Sequence, residues 1–200
     1  MKKKVIYNLI FIIIFLTSIF LIILSTLGIE TNKFNKLISE KISNAKNIES
    51  QLQLVKFKLD PKELSLFVET KRPKIIYNNL SIPTKSVKVY INFLPLIKMS
   101  LEIKKINLKL EELNHLKLIE LSKLIKPSNL NSFLNNNISE IKLSSEIDFY
   151  LDDSGKLKNY IVKGNVKNLK ADLFNDFIIS KIDLSFFADK EDILIKNISG

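Results

Sequence analysis

The sequence predicts a mainly β protein on a membrane anchor: one N-terminal transmembrane helix, then a curved antiparallel sheet or β-groove with a few short helices. Three observations predict it. Lys2, Lys3 and Lys4 open the chain, and an uncharged, mostly apolar run from Val5 to Ile29 follows. From Gln51 onward, apolar residues recur at every second position, the period of a strand with one buried face. Turn signals such as Asp60-Pro61, Pro83-Thr84 and Asp152-Asp153-Ser154-Gly155 separate the alternating stretches.

The apolar run of about 25 residues makes about 37 Å of helix, more than the hydrocarbon core of about 30 Å requires. Short basic flanks stay on the cytoplasmic side, so the chain after Glu30 is expected on the exported side, with Lys2, Lys3 and Lys4 as the topology determinants. A cleaved secretory signal also starts basic, but its apolar core usually has about 7 to 15 residues and closes on a small-x-small site. Here the run is longer, with only Ser25, Thr26 and Gly28 as small residues at its end, so a retained anchor is expected. The division that follows is 1–29 for the basic flank and anchor, 30–50 for a juxtamembrane helix or linker, and 51–200 for an exported β-rich domain. No cysteine is present, which excludes a lipoprotein signal, disulfides and thiolate metal sites.

The net charge of +10 would ordinarily suggest a nucleic-acid or acidic-membrane partner. Arg72 is the only arginine, however, and the lysines are scattered at alternate positions along apparent strands. Neither a basic cluster nor aromatic interleaving marks a nucleic-acid groove. Lys, Asn and Ile share A/T-rich codons, which accounts for much of the bias without selection for charge. No nucleic acid is expected.

Taken in order, Thr31 caps an amphipathic helix with Phe34, Leu37, Ile38 and Ile42 on one face, suited equally to a membrane surface or to covering a core. Gln51–Leu59 and Leu64–Thr70 read as a hairpin, with Val55 and Phe57 set against Lys56 and Lys58. Strands are expected over Lys74–Ile82 and Lys85–Asn92, then over Leu101–Leu110. In the last of these, Leu101 and Ile103 differ in parity from Ile106, Leu108 and Leu110, so a bulge or bend is expected at Lys104-Lys105. Helical spacing returns over Leu113–Lys126 and ends at Pro127, and Asn129–Asn137 reads as a polar loop with at most a turn of helix near Phe133. Strands then follow from Ile141 to Leu151, from Leu157 to Leu173 with an interruption at Gly164, from Phe177 to Phe187, and from Ile193 to Ile198. Because Gly200 stands directly behind a strand, further chain beyond it is expected.

Chemistry-bearing constellations are sparse. His115 is the only histidine and lies in an apolar helix, where a structural role is expected. Asp152, Asp153, Asp189, Glu191 and Asp192 sit in turns, where hairpin chemistry accounts for them without calcium. Gly28, Gly155, Gly164 and Gly200 are too far apart for a phosphate-binding loop, and Ser154 lacks the glycine two positions earlier that a nucleophile elbow uses. No enzyme activity, metal or cofactor is expected. What remains is a set of strands with one apolar face, which a helix, a second sheet or a ligand must cover. The candidates for lining a lipid groove on that face are Val87, Val89, Ile91, Leu101, Ile103, Ile106, Leu108, Leu143, Ile147 and Phe149. A dry β-sandwich lined by the same residues is the alternative.

The span followed by Ser86-Val87-Lys88-Val89-Tyr90-Ile91-Asn92-Phe93-Leu94-Pro95-Leu96-Ile97 and Leu101-Glu102-Ile103-Lys104-Lys105-Ile106-Asn107-Leu108 resembles the start of AsmA-like proteins. Val162-Lys163-Gly164-Asn165-Val166-Lys167-Asn168-Leu169, with Ile179–Leu184 and Ile193–Gly200, is similar to the repeated strand units of their TamB and YhdP type relatives. Glu111-Glu112-Leu113 stands where that family often has proline. The resemblance implies a single-pass bacterial inner-membrane protein with a periplasmic β-groove of chorein-like shape. It further implies that phospholipid acyl chains are the partner, passed toward the outer membrane, with links to outer-membrane assembly and no catalytic residue. The alternative from a different class is an anchored β-module that scaffolds envelope assembly, as a bridge of lipopolysaccharide export does, and binds no lipid.

Overall fold

The structure, a computed structural model, describes residues 2–30, 48–63, 65–91, 102–124, 129–173 and 177–200. It is mainly β and antiparallel, behind one apolar N-terminal helix, as the alternation predicts. The expected amphipathic helix after Thr31, the helix end at Pro127 and Leu101 lie outside the described residues.

Helix α1, Lys2–Thr26, is long and apolar enough to cross a bilayer, and nearly all of its side chains are exposed. It ends on Gly28, whose φ is 71°, with the amides of Leu27 and Gly28 both donating to the Ile23 carbonyl at 3.0 Å. A Cβ at Gly28 would lie 2.6 Å from Lys58 Cγ and 2.9 Å from the Phe57 carbonyl oxygen. Glycine is therefore required twice over, for the left-handed turn and for the close approach of the helix end to the sheet. Leu24 is buried, and Ile29–Glu30, strand β1, joins the sheet beside Phe57 and Lys56.

The chain continues as β2 (Ile48–Gln51), β3 (Val55–Asp60), β4 (Ser65–Lys71), β5 (Lys74–Tyr77), β6 (Leu80–Ile82), β7 (Thr84–Ile91) and β8 (Ile103–Leu110). After β9 (Leu113–Asn114) come α2 (His115–Ser122) and α3 (Asn129–Asn137). Four long strands complete it: β10 (Ile138–Leu151), β11 (Leu157–Leu173), β12 (Phe177–Ala188) and β13 (Ile193–Ser199). The large sheet has the order β1-β3-β4-β7-β8-β10-β11-β12-β13, with β9 alongside β10, and does not close on itself. β2, β5 and β6 form a separate small sheet.

Four expectations are corrected. Lys74–Ile82 is a hairpin and not one strand: Asn78 and Asn79 adopt φ of 49° and 64°, the paired left-handed residues of a tight two-residue turn. Asn129–Asn137 is a helix, although asparagine is a poor helix former, because Leu134 is buried against the sheet and Asn131 donates to the Ile119 carbonyl and the Ser122 hydroxyl of α2. Leu113 is not helical; it pairs with Leu143 at the sheet edge, and α2 starts one residue after Asn114, whose side chain caps it by accepting from the Lys117 amide at 3.0 Å. Strand β11 runs through Gly164 without a break, the missing side chain making room for the Phe186 ring of β12.

The bulge expected at Lys104-Lys105 is present. Tyr90 pairs with Lys105, the next residue Ile91 pairs with Ile103, and Lys104 is the extra residue that returns Ile103 to the apolar face.

Two buried clusters anchor the two ends of that face. Val55, Val68 and Ile91 form one, with Leu52 and Phe57 against it. Leu134, Ile138 and Ala171 form the other, beneath Leu118 and Ile119 of α2. His115 Nε2 lies 2.8 Å from the Leu134 carbonyl and ties the helix pair together.

Candidate functional site

Opposed residues of antiparallel strands share a face, so the register draws the surface residue by residue. One row runs Val55, Thr70, Val87, Leu108, Ile147, Val162, Ala188, Ile193 from β3 to β13, with Thr70 its single polar member. The next runs Ile29, Phe57, Val68, Val89, Ile106, Phe149, Tyr160. Leu59, Leu66, Ile91 and Ile103 add a third at one corner. The apolar face is thus continuous from the anchor to the far edge of the sheet.

Nine of the ten sequence-predicted lining residues lie on this face; Leu101 falls outside the described residues. They differ in cover. Val89 and Ile91 are buried, at 8% and 3% exposure, toward the anchor end. Leu143 stands opposite the buried Leu113, next to the helix-covered end. Between the two ends, Ile103, Ile106, Leu108, Ile147 and Phe149 are half-buried and belong to neither buried cluster, and Val87, also half-buried, borders the anchor end. Sequence reasoning missed Val55, Phe57, Val68, Tyr160 and Val162 as members of the same rows. Their alternation was visible, but only strand pairing shows that they continue them.

The opposite face is mainly polar and largely self-satisfied, with the buried rings of Phe67 and Tyr90 packed within it, 5.2 Å between centroids. One row alternates in sign through Glu30, Lys56, Glu69 and Lys88 before reaching Asn107 and Asp148. Lys58 pairs with Glu69 at 2.7 Å, Lys56 with Glu30 at 3.2 Å, and Lys105 with Glu63. Asn107 donates to Glu146 and Asp148, both at 2.7 Å. The Lys105 ammonium also lies 4.1 Å above the Tyr90 ring. Burial raises the Tyr90 phenol well above its ordinary value, and the carboxylates of Glu63, Asp60 and Asp148 push the same way. A hollow of about 610 Å³ on this side is lined by Ser144, Asn165 and Ser185 beside Lys109, Glu146 and Lys163. Small side chains make that hollow, and charges of both signs line it together with Leu110, Phe186 and Phe187. Several lysines of this face are thus paired with carboxylates of the same face.

In the turns, Asp152 accepts from the Ser154 and Lys156 amides and the Ser154 hydroxyl, and Asp189 accepts from the Glu191 and Asp192 amides. These bonds hold both carboxyls below their ordinary values, the turn chemistry expected for them. Among the described residues, no group of His, Asp and Glu is placed to hold a metal ion.

Comparison with protein-family models, with curated proteins and with solved structures found no match.

Proposed function

We propose that this chain is a membrane-anchored lipid-handling protein, whose apolar sheet face holds phospholipid acyl chains while their headgroups stay in water. The observation that carries this reading is the apolar row from Val55 to Ile193, half-buried at Val87, Leu108, Ile147 and Val162. The force is partition: each methylene moved from water onto such a surface gains up to about 0.8 kcal/mol, so a chain is held without any covalent step. Movement along the rows exchanges one apolar contact for another, and no single position traps the lipid.

The anchor supplies the source. Because α1 ends against β3, the first strands of the face lie next to the bilayer that α1 spans. The basic start of the chain favours a cytoplasmic N-terminus and an exported sheet. With the resemblance to AsmA-like proteins, this favours the bacterial inner membrane, a periplasmic sheet and phospholipid delivered toward the outer membrane. Eight intervals at about 4.8 Å make the described face about 38 Å across, enough to receive and hold a lipid near the membrane.

Native mass spectrometry of the full chain, released from mild detergent, tests the reading. Phospholipid retained at about one molecule per chain, and absent from a peptide of residues 1–30, is the expected result. Equal lipid retention by that peptide assigns the binding to the span alone and overturns the proposal.

A further inference from the structure

The apolar face is not equally open along its length. At the anchor end the small sheet of β2, β5 and β6 lies over it. Ser50, Leu52 and Ile75 meet Val68, Thr70 and Val87 across a cavity of about 40 Å³. Ser50 Oγ and Thr70 Oγ1 are buried beside this cavity without a hydrogen-bond partner. Among the described residues, no ladder hydrogen bond joins the small sheet to the large one. The connections between them are short: Leu52–Leu54, Arg72-Pro73 with Arg72 at φ 47°, and Pro83. The contact between the sheets is therefore apolar and imperfectly filled, with two hydroxyls left unsatisfied.

We propose that this space is where an acyl chain first engages the apolar face, and that the small sheet is a cover displaced by that chain. The inference rests on the lipid-handling reading and adds to it a site and a moving part. The occupant follows from position. Ile29 stands next to the end of α1 and pairs with Phe57, which in turn pairs with Val68 of the cavity wall. A chain leaving the bilayer beside α1 thus meets the covered end of the rows before the open middle. The size of the space then requires movement: about 40 Å³ is far below the roughly 300–1,000 Å³ of a pocket that encloses a small-molecule ligand. An acyl chain cannot share it with the cover in place. Lifting the small sheet returns Ser50 to water and exposes Val68 and Val87, so the polar group left unsatisfied in the closed form gains a partner in the open one.

The chain has no cysteine, so Ser50→Cys with Thr70→Cys provides a reversible lock. The full chain is placed in nanodiscs of phosphatidylethanolamine and phosphatidylglycerol, with a photo-reactive residue at Val87 or at Phe149. Under reducing conditions both positions are expected to capture lipid, and oxidation is expected to lower capture at position 87 by about tenfold. Undiminished capture at position 87 in the locked protein overturns the cover while lipid at position 149 leaves the general reading standing. Absence of lipid at position 149 in the reduced protein overturns both. Hydrogen exchange on the unmodified chain is a second measure that does not depend on the lock. Amides of Lys74–Ile82 are expected to exchange about tenfold faster than those of β4 and β7, and equal protection overturns the cover.

Discussion

At the scale of single residues, the polar face and the anchor junction make the sharpest commitments. Tyr90 is 5% exposed, and its phenol is held neutral by burial and by neighbouring carboxylates. A group whose folded pKa is raised stabilises the fold fully below its unfolded value, and that contribution is lost as pH rises above it. Stability should therefore fall above about pH 10, by up to about 1.4 kcal/mol per pH unit from this group. Tyr90→Phe should remove that component, seen as a smaller drop in the urea midpoint between about pH 9 and 11 than in the parent chain. Gly28 carries the other commitment. Alanine there must adopt φ 71° and meets the Phe57 carbonyl, so Gly28→Ala should cost about 1–3 kcal/mol in chemical denaturation. An unchanged midpoint would mean that α1 is not seated on β3 as described.

Secondary-structure elements show where sequence logic reached and where it stopped. The alternation in β10 and β12 was legible because each strand has one wet face, and the parity switch at Lys104 announced its bulge for the same reason. The β5–β6 hairpin was not legible as two strands, since two left-handed asparagines do with two residues what Gly and Pro usually signal. Helix α3 was hidden by its asparagines; burial of Leu134 and hydrogen bonds to α2 override their weak intrinsic preference. Nine of the proposed lining residues could be assigned to one face from parity alone. That a second sheet meets Val87 and Val89 could not, because sequence period tells which side of a strand is apolar but not what lies across from it. Leu113 marks the other covered end. It is 2% exposed, directly opposite Leu143, so Leu113→Ala should cost about 2–5 kcal/mol and loosen the seat of the helix pair, measurable by urea unfolding. A loss below about 0.5 kcal/mol would place Leu113 outside the core.

Across the whole molecule, a helix long and apolar enough to cross a membrane leads into a sheet with one apolar face and one mainly polar face. Orientation is the first consequence. Alkaline phosphatase fused after Gly200 should be active in cells, and replacing Lys2, Lys3 and Lys4 with glutamate should reduce that activity. A stable but inactive parent fusion would reverse the topology. In the proposed function, acyl chains lie on the face carrying Ile147 and Phe149 and not on the face carrying Asp148 and Tyr150. Because these four residues are consecutive in β10, they differ in facing and hardly in distance from the membrane. Photo-reactive residues placed singly at all four positions of the full chain in phospholipid nanodiscs measure it most directly. Lipid adducts are expected at positions 147 and 149, with little at 148 and 150. Equal labelling at all four, or labelling confined to 148 and 150, would contradict it.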